Sequence, residues 1–196
     1  VAVAVAAAAD PGVLAALAAA ARAGYCEKAL LYGDEEELIR LTASVALPAE
    51  SFELRHAPDP ESASSGAVGV VSAGEAQILM KGLVDTSVLL SAVLAEEGGL
   101  RTGRVLSHLA LFEIAGFPRL LAVTDAAMNI APDLRRKREI LANGVELLHA
   151  LGLPEPKVAA LCAKEKVSEK MPCTADAAEL ARMNAAGEIG GCLVAG

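Results

Sequence analysis

Tryptophan is absent, and the aromatic residues together make up only 3% of this 196-residue chain. A core must therefore be assembled from Ala, Val, Leu and Ile, the residues of buried parallel strands and the helices that cover them. Basic charge is also scarce. The formal net charge is −8 and the isoelectric point about 4.9, which excludes a nucleic-acid-binding surface, because a phosphate backbone demands a basic face. Any anionic ligand has to be met by a local pocket. No apolar run approaches the roughly 20 residues of a spanning helix; the longest, Val1 to Ala9, ends in Asp10-Pro11, a helix-start signal, and reads as a first buried strand without a signal-peptide pattern. The cysteines, Cys26, Cys162, Cys173 and Cys192, are scattered with no C-x-x-C and no paired His at ligand spacing, so they read as reduced thiols of a cytoplasmic protein and no metal site is expected.

What is present is 54% hydrophobic and 21% charged, enough for a sizeable core. Val1–Ala7 reads as a strand, Asp10 as an N-cap with Pro11 in the first helical position, and 12–23 as an Ala-rich helix ending at Gly24. Strands at 29–32 and 52–55 flank an acidic helix opened by Gly33-Asp34, and 59–72 is a helix closed by Gly74. A strand at 77–81 and a helix capped at Asp85-Thr86-Ser87, running to about Glu97, continue the alternation. The next stretch differs: strands at 105–114 and 120–124 are separated by Ala115-Gly116-Phe117-Pro118, too short for a crossover helix, and should pair antiparallel. A long helix over 130–151, a strand at 158–162, a helix at 174–186 and a strand at 189–194 follow. The expectation is an α/β fold with a mainly parallel, mixed sheet and flanking helices.

Ligands of open α/β sheets bind beyond the carboxyl ends of strands, where helix N-termini present free N–H groups. In the run from Leu79 to Ser87, a strand ends in Lys81, Gly82 lets the backbone turn closely, and the hydroxyls of Thr86 and Ser87 stand at a helix start, a layout that suits an oxyanion. An ordinary strand, turn and capped helix with a solvated Lys81 accounts for the same residues. Arg101 and Arg104 flank Thr102-Gly103 and can meet a phosphate, or pair with Glu96 and Glu97 at a solvated edge. Asp125 and Asn129 follow a strand and can orient a ligand or simply form a turn and cap. The lysines of 164–170, Lys170 among them, can attract a polyphosphate or sit in a solvated loop. No nucleophile-elbow, Walker or dinucleotide-binding pattern occurs, and no His stands at motif spacing from a Ser or Cys.

Together, the runs from Leu79 to Ser87, Gly99 to Arg104 and Ser107 to Glu113, with Leu120 to Leu134, Lys170 to Ala178 and Gly187 to Leu193, resemble the phosphate acetyl/butyryltransferase family, and its butyryltransferase branch in particular. The resemblance implies a two-lobed architecture like that of isocitrate and isopropylmalate dehydrogenases, with residues 1–78 in the first lobe and 79–196 lining the cleft and forming the second, usually in a homodimer or higher oligomer. It implies the reaction acyl-CoA + phosphate = acyl phosphate + CoA, with coenzyme A as substrate, no tightly bound cofactor and no metal. Arg104, Asp125 and Asn129 are then expected as catalytic residues, and Lys81, Gly82, Thr86, Ser87, Arg101 and Lys170 as substrate-binding residues.

Two departures from the family stand out. The family pattern continues past Gly196 with a Ser-Arg pair and an Asp that contribute to catalysis. Leu90-Ser91-Ala92-Val93-Leu94 also carries Ser91 where relatives carry an Arg. Both favour, as the alternative, a domain that binds acyl-CoA without turning it over.

Overall fold

The computed structural model describes residues 1–45 and 48–196. Its two compact units are residues 1–102 and 103–196.

In the first unit, β1 (Ala2–Ala6) is the strand around which the rest is built. It is followed by α1 (Pro11–Arg22), β2 (Lys28–Gly33), α2 (Glu35–Val45), β3 (Phe52–His56), α3 (Pro60–Ser72), β4 (Ile78–Lys81) and α4 (Thr86–Val93). The four strands are all parallel in the order β3-β2-β1-β4. Successive side chains of β1 point to opposite faces, and the structure uses both. Ala4 and Ala6 pack with Tyr32, Ala63, Ala67 and Val68 under α3 and α4; Val3 and Val5 pack with Leu14, Leu17, Leu31 and Leu38 under α1 and α2. Burial on both faces explains why the strand has no polar alternation.

Small residues let the helices approach closely. A Cβ on Gly66 of α3 would stand 2.5 Å from Cε1 of Tyr32, so the glycine makes the slot for the one aromatic ring of that core cluster. Helix starts follow the expected caps: Asp10 Oδ1 accepts the Val13 N–H at 2.9 Å, and Asp59 and Ser62 form a reciprocal capping box. β4 and α4, grouped from sequence with the segment that follows them, belong to this unit.

The second unit comprises β5 (Leu109–Phe112), β6 (Leu121–Thr124), α5 (Leu134–Ala150), β7 (Lys157–Ala159), α6 (Pro172–Ala185) and β8 (Leu193–Ala195). β5 and β6 pair antiparallel, as the short link requires, and β7 pairs parallel with β8. The hairpin forms a two-stranded ladder of its own; the four-stranded sheet is wholly parallel, so the expected mixed sheet is replaced by separate ladders. Leu141, Val145, Leu180, Ile189 and Cys192 form this unit's core. Asp133 starts α5 by accepting the Arg136 N–H at 2.8 Å, which leaves 130–132 outside the helix.

Several expected elements are shorter than the apolar pattern suggested. The strand expected over 105–114 begins only at Leu109, because the Val105 N–H donates to Glu139 Oε2 (3.0 Å) and the Leu106 carbonyl accepts from the Asn129 amide (3.0 Å). The strand expected over 189–194 is 193–195: Ile189 turns into the core and Gly191 has φ +74°. The helix from Thr86 ends at Val93, whose carbonyl accepts the Leu100 N–H. Among the described residues, no helix is long and apolar enough to cross a membrane.

Candidate functional site

The chain adds β2 and β3 on one side of β1 and then returns to place β4 on the other. The direction of winding reverses between β1 and β4, and beyond the carboxyl ends of such a strand pair an open α/β sheet leaves its crevice. Lys81 is the last residue of β4 and is in register with Ala6. Gly82 N–H donates to the Ala6 carbonyl and Leu83 N–H to the Ala7 carbonyl, each at 2.8 Å. Ala7 itself has φ +53°, uncommon for a residue with a Cβ. A Cβ on Gly82 would overlap the Ala7 carbonyl oxygen and stand 2.8 Å from that of Ala6; no side chain fits where the two backbones cross.

The chain then enters α4. Asp85, Thr86 and Ser87 are exposed, and Asp85 stands at the N-cap in extended conformation without accepting a hydrogen bond on its side chain. In α1, α3 and α5 an Asp closes the corresponding end. Among the described residues no acceptor meets the Thr86 or Ser87 N–H, so α4 presents open donors and the positive end of its dipole at the switch point. Lys81 Nζ lies over the same turn, 3.5 Å from the Gly82 carbonyl. Donors, dipole and ammonium together suit an anion such as phosphate. Ser91, one turn into α4, donates its hydroxyl to the Ser87 carbonyl at 2.8 Å.

The remaining candidate of this unit, Arg101, is about half exposed with Nη1 3.7 Å from Glu96 Oε1, a weak surface pairing.

In the second unit Arg104 is held by α5, donating from Nη1 to Glu146 Oε2 (2.6 Å) and from Nη2 to Asn143 Oδ1 (2.7 Å). Asn143 in turn donates to the Val105 carbonyl (2.8 Å) and to Ser107 Oγ (2.9 Å). Glu139, Asn143 and Glu146 lie on one face of the helix and clasp 104–107 against it. Sequence reading missed this face, although the spacing of three polar residues along an otherwise amphipathic helix was its signal.

Asp125 and Asn129 come together. The Asp125 carboxylate accepts from the backbone N–H groups of His108 (3.3 Å), Ala127 (3.2 Å), Met128 (3.2 Å) and Asn129 (3.0 Å), and from the Asn129 amide. Burial pushes the carboxyl up, but the Asn129 amide and the Ala127, Met128 and His108 N–H groups outweigh it and leave Asp125 below its ordinary range. A carboxylate occupied in this way is an organiser of the loop. Thr124 adds a hydroxyl bond to the His108 carbonyl at 2.6 Å.

Lys170 is exposed, on the loop before α6. Along α5 a groove of about 330 Å³ is lined by Arg138, Leu141, Val145, His149 and Ile189; none of the sequence-predicted site residues borders it. The structure thus gathers Lys81, Gly82, Thr86 and Ser87 in one unit and Asp125 with Asn129 in the other, and gives each of Arg101 and Arg104 an acidic partner within its own unit.

Residues 59–196 match the model of the phosphate acetyl/butaryl transferase family. The chain is 44% identical over 194 residues, 99% of its length, to a phosphate butyryltransferase of Clostridium acetobutylicum, of which it covers 64%. It is 50% identical over 167 residues to a probable phosphate butyryltransferase of Bacillus subtilis, covering 85% of this chain and 55% of that one. The crystal structure of a branched-chain phosphotransacylase from Enterococcus faecalis superposes with a TM-score of 0.83 at 29% identity, covering 100% of this chain and 67% of that one. The chain therefore spans somewhat under two thirds of the length of these curated relatives. On these matches it belongs to the phosphate acetyl/butyryltransferase family.

Proposed function

We propose that the protein is a phosphate acyltransferase, converting acyl-CoA and inorganic phosphate to acyl phosphate and free CoA. The observation that carries this reading is the open N-terminus of α4 beside Lys81 at the switch point, a site fitted to an anion in a chain whose net charge is −8. The relatives' names supply the second substrate.

In the proposed reaction a phosphate oxygen attacks the thioester carbonyl, a tetrahedral oxyanion forms, and the CoA thiolate leaves. The Thr86 and Ser87 N–H groups with Lys81 hold the phosphate, helped by the hydroxyls of the same two residues; Gly82 keeps the turn flat enough for the ligand to approach. Arg104, prepositioned by Glu146 and Asn143, and Arg101 offset the charge that develops on the oxyanion and phosphoryl oxygens. Asp125 and Asn129 shape the reacting surface through the loop they organise, and Lys170 attracts the polyphosphate of CoA. The reading includes the isocitrate/isopropylmalate dehydrogenase-like architecture, a homodimer or higher oligomer, a cytoplasmic location, and CoA as a substrate with no tightly bound cofactor.

The test is thiol release from butyryl-CoA and acetyl-CoA with and without phosphate. Release that requires phosphate and yields acyl phosphate is expected. Binding of acyl-CoA without turnover would replace the proposal with the acyl-CoA-binding domain.

A further inference from the structure

Residues 104–108 are held from both sides. On one side, α5 takes the Val105 N–H on Glu139 Oε2 (3.0 Å) and the Arg104 guanidinium on Glu146 and Asn143. On the other, the Asn129 amide donates to the Leu106 carbonyl (3.0 Å), Asp125 accepts the His108 N–H (3.3 Å), and the Thr124 hydroxyl donates to the His108 carbonyl (2.6 Å). Ser107 lies between these anchors and is half-buried. Its neighbours are fixed, so its own polar groups are fixed with them.

Asn143 decides which way the Ser107 hydroxyl points. A guanidinium can only donate, so the amide oxygen of Asn143 must be the end that faces Arg104, with Nη2 at 2.7 Å from Oδ1. The amide nitrogen is thereby turned the other way. One of its protons goes to the Val105 carbonyl (2.8 Å) and the other to Ser107 Oγ (2.9 Å). Ser107 Oγ is thus an acceptor toward Asn143, and its proton is directed elsewhere. Among the described residues neither that proton nor the Ser107 N–H meets an acceptor. Arg104 keeps donors in the same way: Glu146 and Asn143 take two of its five N–H groups and leave three. The carboxylates of the clasp are themselves engaged, Glu146 by Arg104 (2.6 Å), and Glu139 by the Val105 N–H and by Arg135 Nε (3.3 Å).

We propose that Ser107 is a further substrate-contacting residue: its hydroxyl and the Arg104 guanidinium, set by the two ends of one Asn143 side chain, hold a single phosphoryl group, with Asn143 as the positioning residue of the pair. The proposal rests on the acyltransferase reading, in which Arg104 meets phosphoryl oxygens. A hydroxyl whose accepting side is already filled is left to donate, which matches a phosphoryl oxygen, an acceptor only. Because the amide fixes both donors before the ligand arrives, binding needs little reorganisation. Inorganic phosphate and the phosphates of CoA share this chemistry.

The experiment measures initial rates of thiol release against inorganic phosphate and against butyryl-CoA, and equilibrium titrations with inorganic phosphate and with CoA. The proteins are the wild type, Ser107→Ala, Ser107→Thr, Asn143→Ala and the Ser107→Ala/Asn143→Ala double variant, each checked by thermal unfolding. Ser107→Ala should raise KM and Kd about tenfold or more for one of the two ligands at an unchanged unfolding midpoint. A rise for phosphate assigns the pair to inorganic phosphate, and a rise for CoA and butyryl-CoA assigns it to the phosphates of CoA. Ser107→Thr, which keeps the hydroxyl, should stay within about threefold of wild type. In the Asn143→Ala background the hydroxyl is no longer aimed, and Ser107→Ala should cost less than about threefold. An equal cost in both backgrounds overturns Asn143 as the positioning residue, and unchanged KM and Kd for both ligands in Ser107→Ala overturn the contact. Ser107-dependent binding by a wild-type protein that releases no thiol overturns the acyltransferase reading and leaves the Arg104–Ser107 contact standing.

Discussion

If the anion is held by the backbone of α4, removing a single N–H should weaken it without disturbing the fold, and Thr86 is the position where this can be done. Thr86 is the first residue of the helix, and Asp85 before it already has φ −63° and ψ 138°, the conformation a following proline requires. Proline is favoured at a first helical position because its missing N–H has no intrahelical partner there. Thr86→Pro therefore deletes the N–H together with the hydroxyl and leaves α4 intact, whereas Thr86→Ala keeps the N–H and deletes only the hydroxyl, so the difference between the two substitutions isolates the N–H. A hydrogen bond to a charged group contributes about 1.5–3 kcal/mol, which corresponds to a rise of ten- to more than a hundredfold in the phosphate KM for Thr86→Pro. Thr86→Ala should show a distinctly smaller rise. The assay is initial rate against phosphate concentration at saturating butyryl-CoA, with thermal unfolding as the check on the fold. Equal effects of the two substitutions would transfer the contact to the hydroxyl, and an unchanged phosphate KM in Thr86→Pro at unchanged stability would refute the placement of phosphate at this helix.

The turn before α4 gives a stability test: Gly82→Ala should cost about 2–4 kcal/mol in urea unfolding, from overpacking against Ala6 and Ala7 and loss of the two backbone bonds. Gly69→Ala, in the interior of α3 with nothing near the added Cβ, should instead stabilise by about 0.5–1 kcal/mol. Arg104→Ala should raise the phosphate KM or lower kcat at least tenfold, about 1.4 kcal/mol, and unchanged kinetics would remove Arg104 from the site. The folded-state pKa of Asp125 is depressed, so its contribution to stability is present above the unfolded carboxyl value of about 4 and is lost as pH falls through the folded value. Asp125→Asn should flatten that acid limb, and an acid limb identical to wild type would show that the carboxylate's five contacts contribute nothing.

What was legible in the sequence was local. Asp10 with Pro11, Asp59 with Pro60 and Asp133 after Pro132 announce helices because a cap needs only its own first turn. The hairpin was legible because four residues cannot hold a crossover. Strand ends were not: Val105 and Leu106 are as apolar as the residues that follow, and what stops the ladder is a pair of side-chain bonds from Glu139 and Asn129, brought in by the fold. That the hairpin stands as a ladder of its own, and not within a mixed sheet, was equally out of reach, since nothing in an alternating pattern says which strand will lie at its edge.

The candidate site divides along the same line. Lys81-Gly82 and Thr86-Ser87 could be read as an anion-binding turn, but the need for glycine at 82 comes from the carbonyls of Ala6, which ends β1, and of Ala7 just after it, at the other end of the unit's sequence. Asp125 shows the opposite case. Its sequence context left ligand binding and turn formation equally open; five donors on one carboxylate give it a part in building the loop. A carboxylate so saturated would have to give up several bonds before it could take a proton from a substrate. In the proposed reaction, charge on the phosphate oxygens would be met instead by groups with donors to spare, which the open end of α4 supplies.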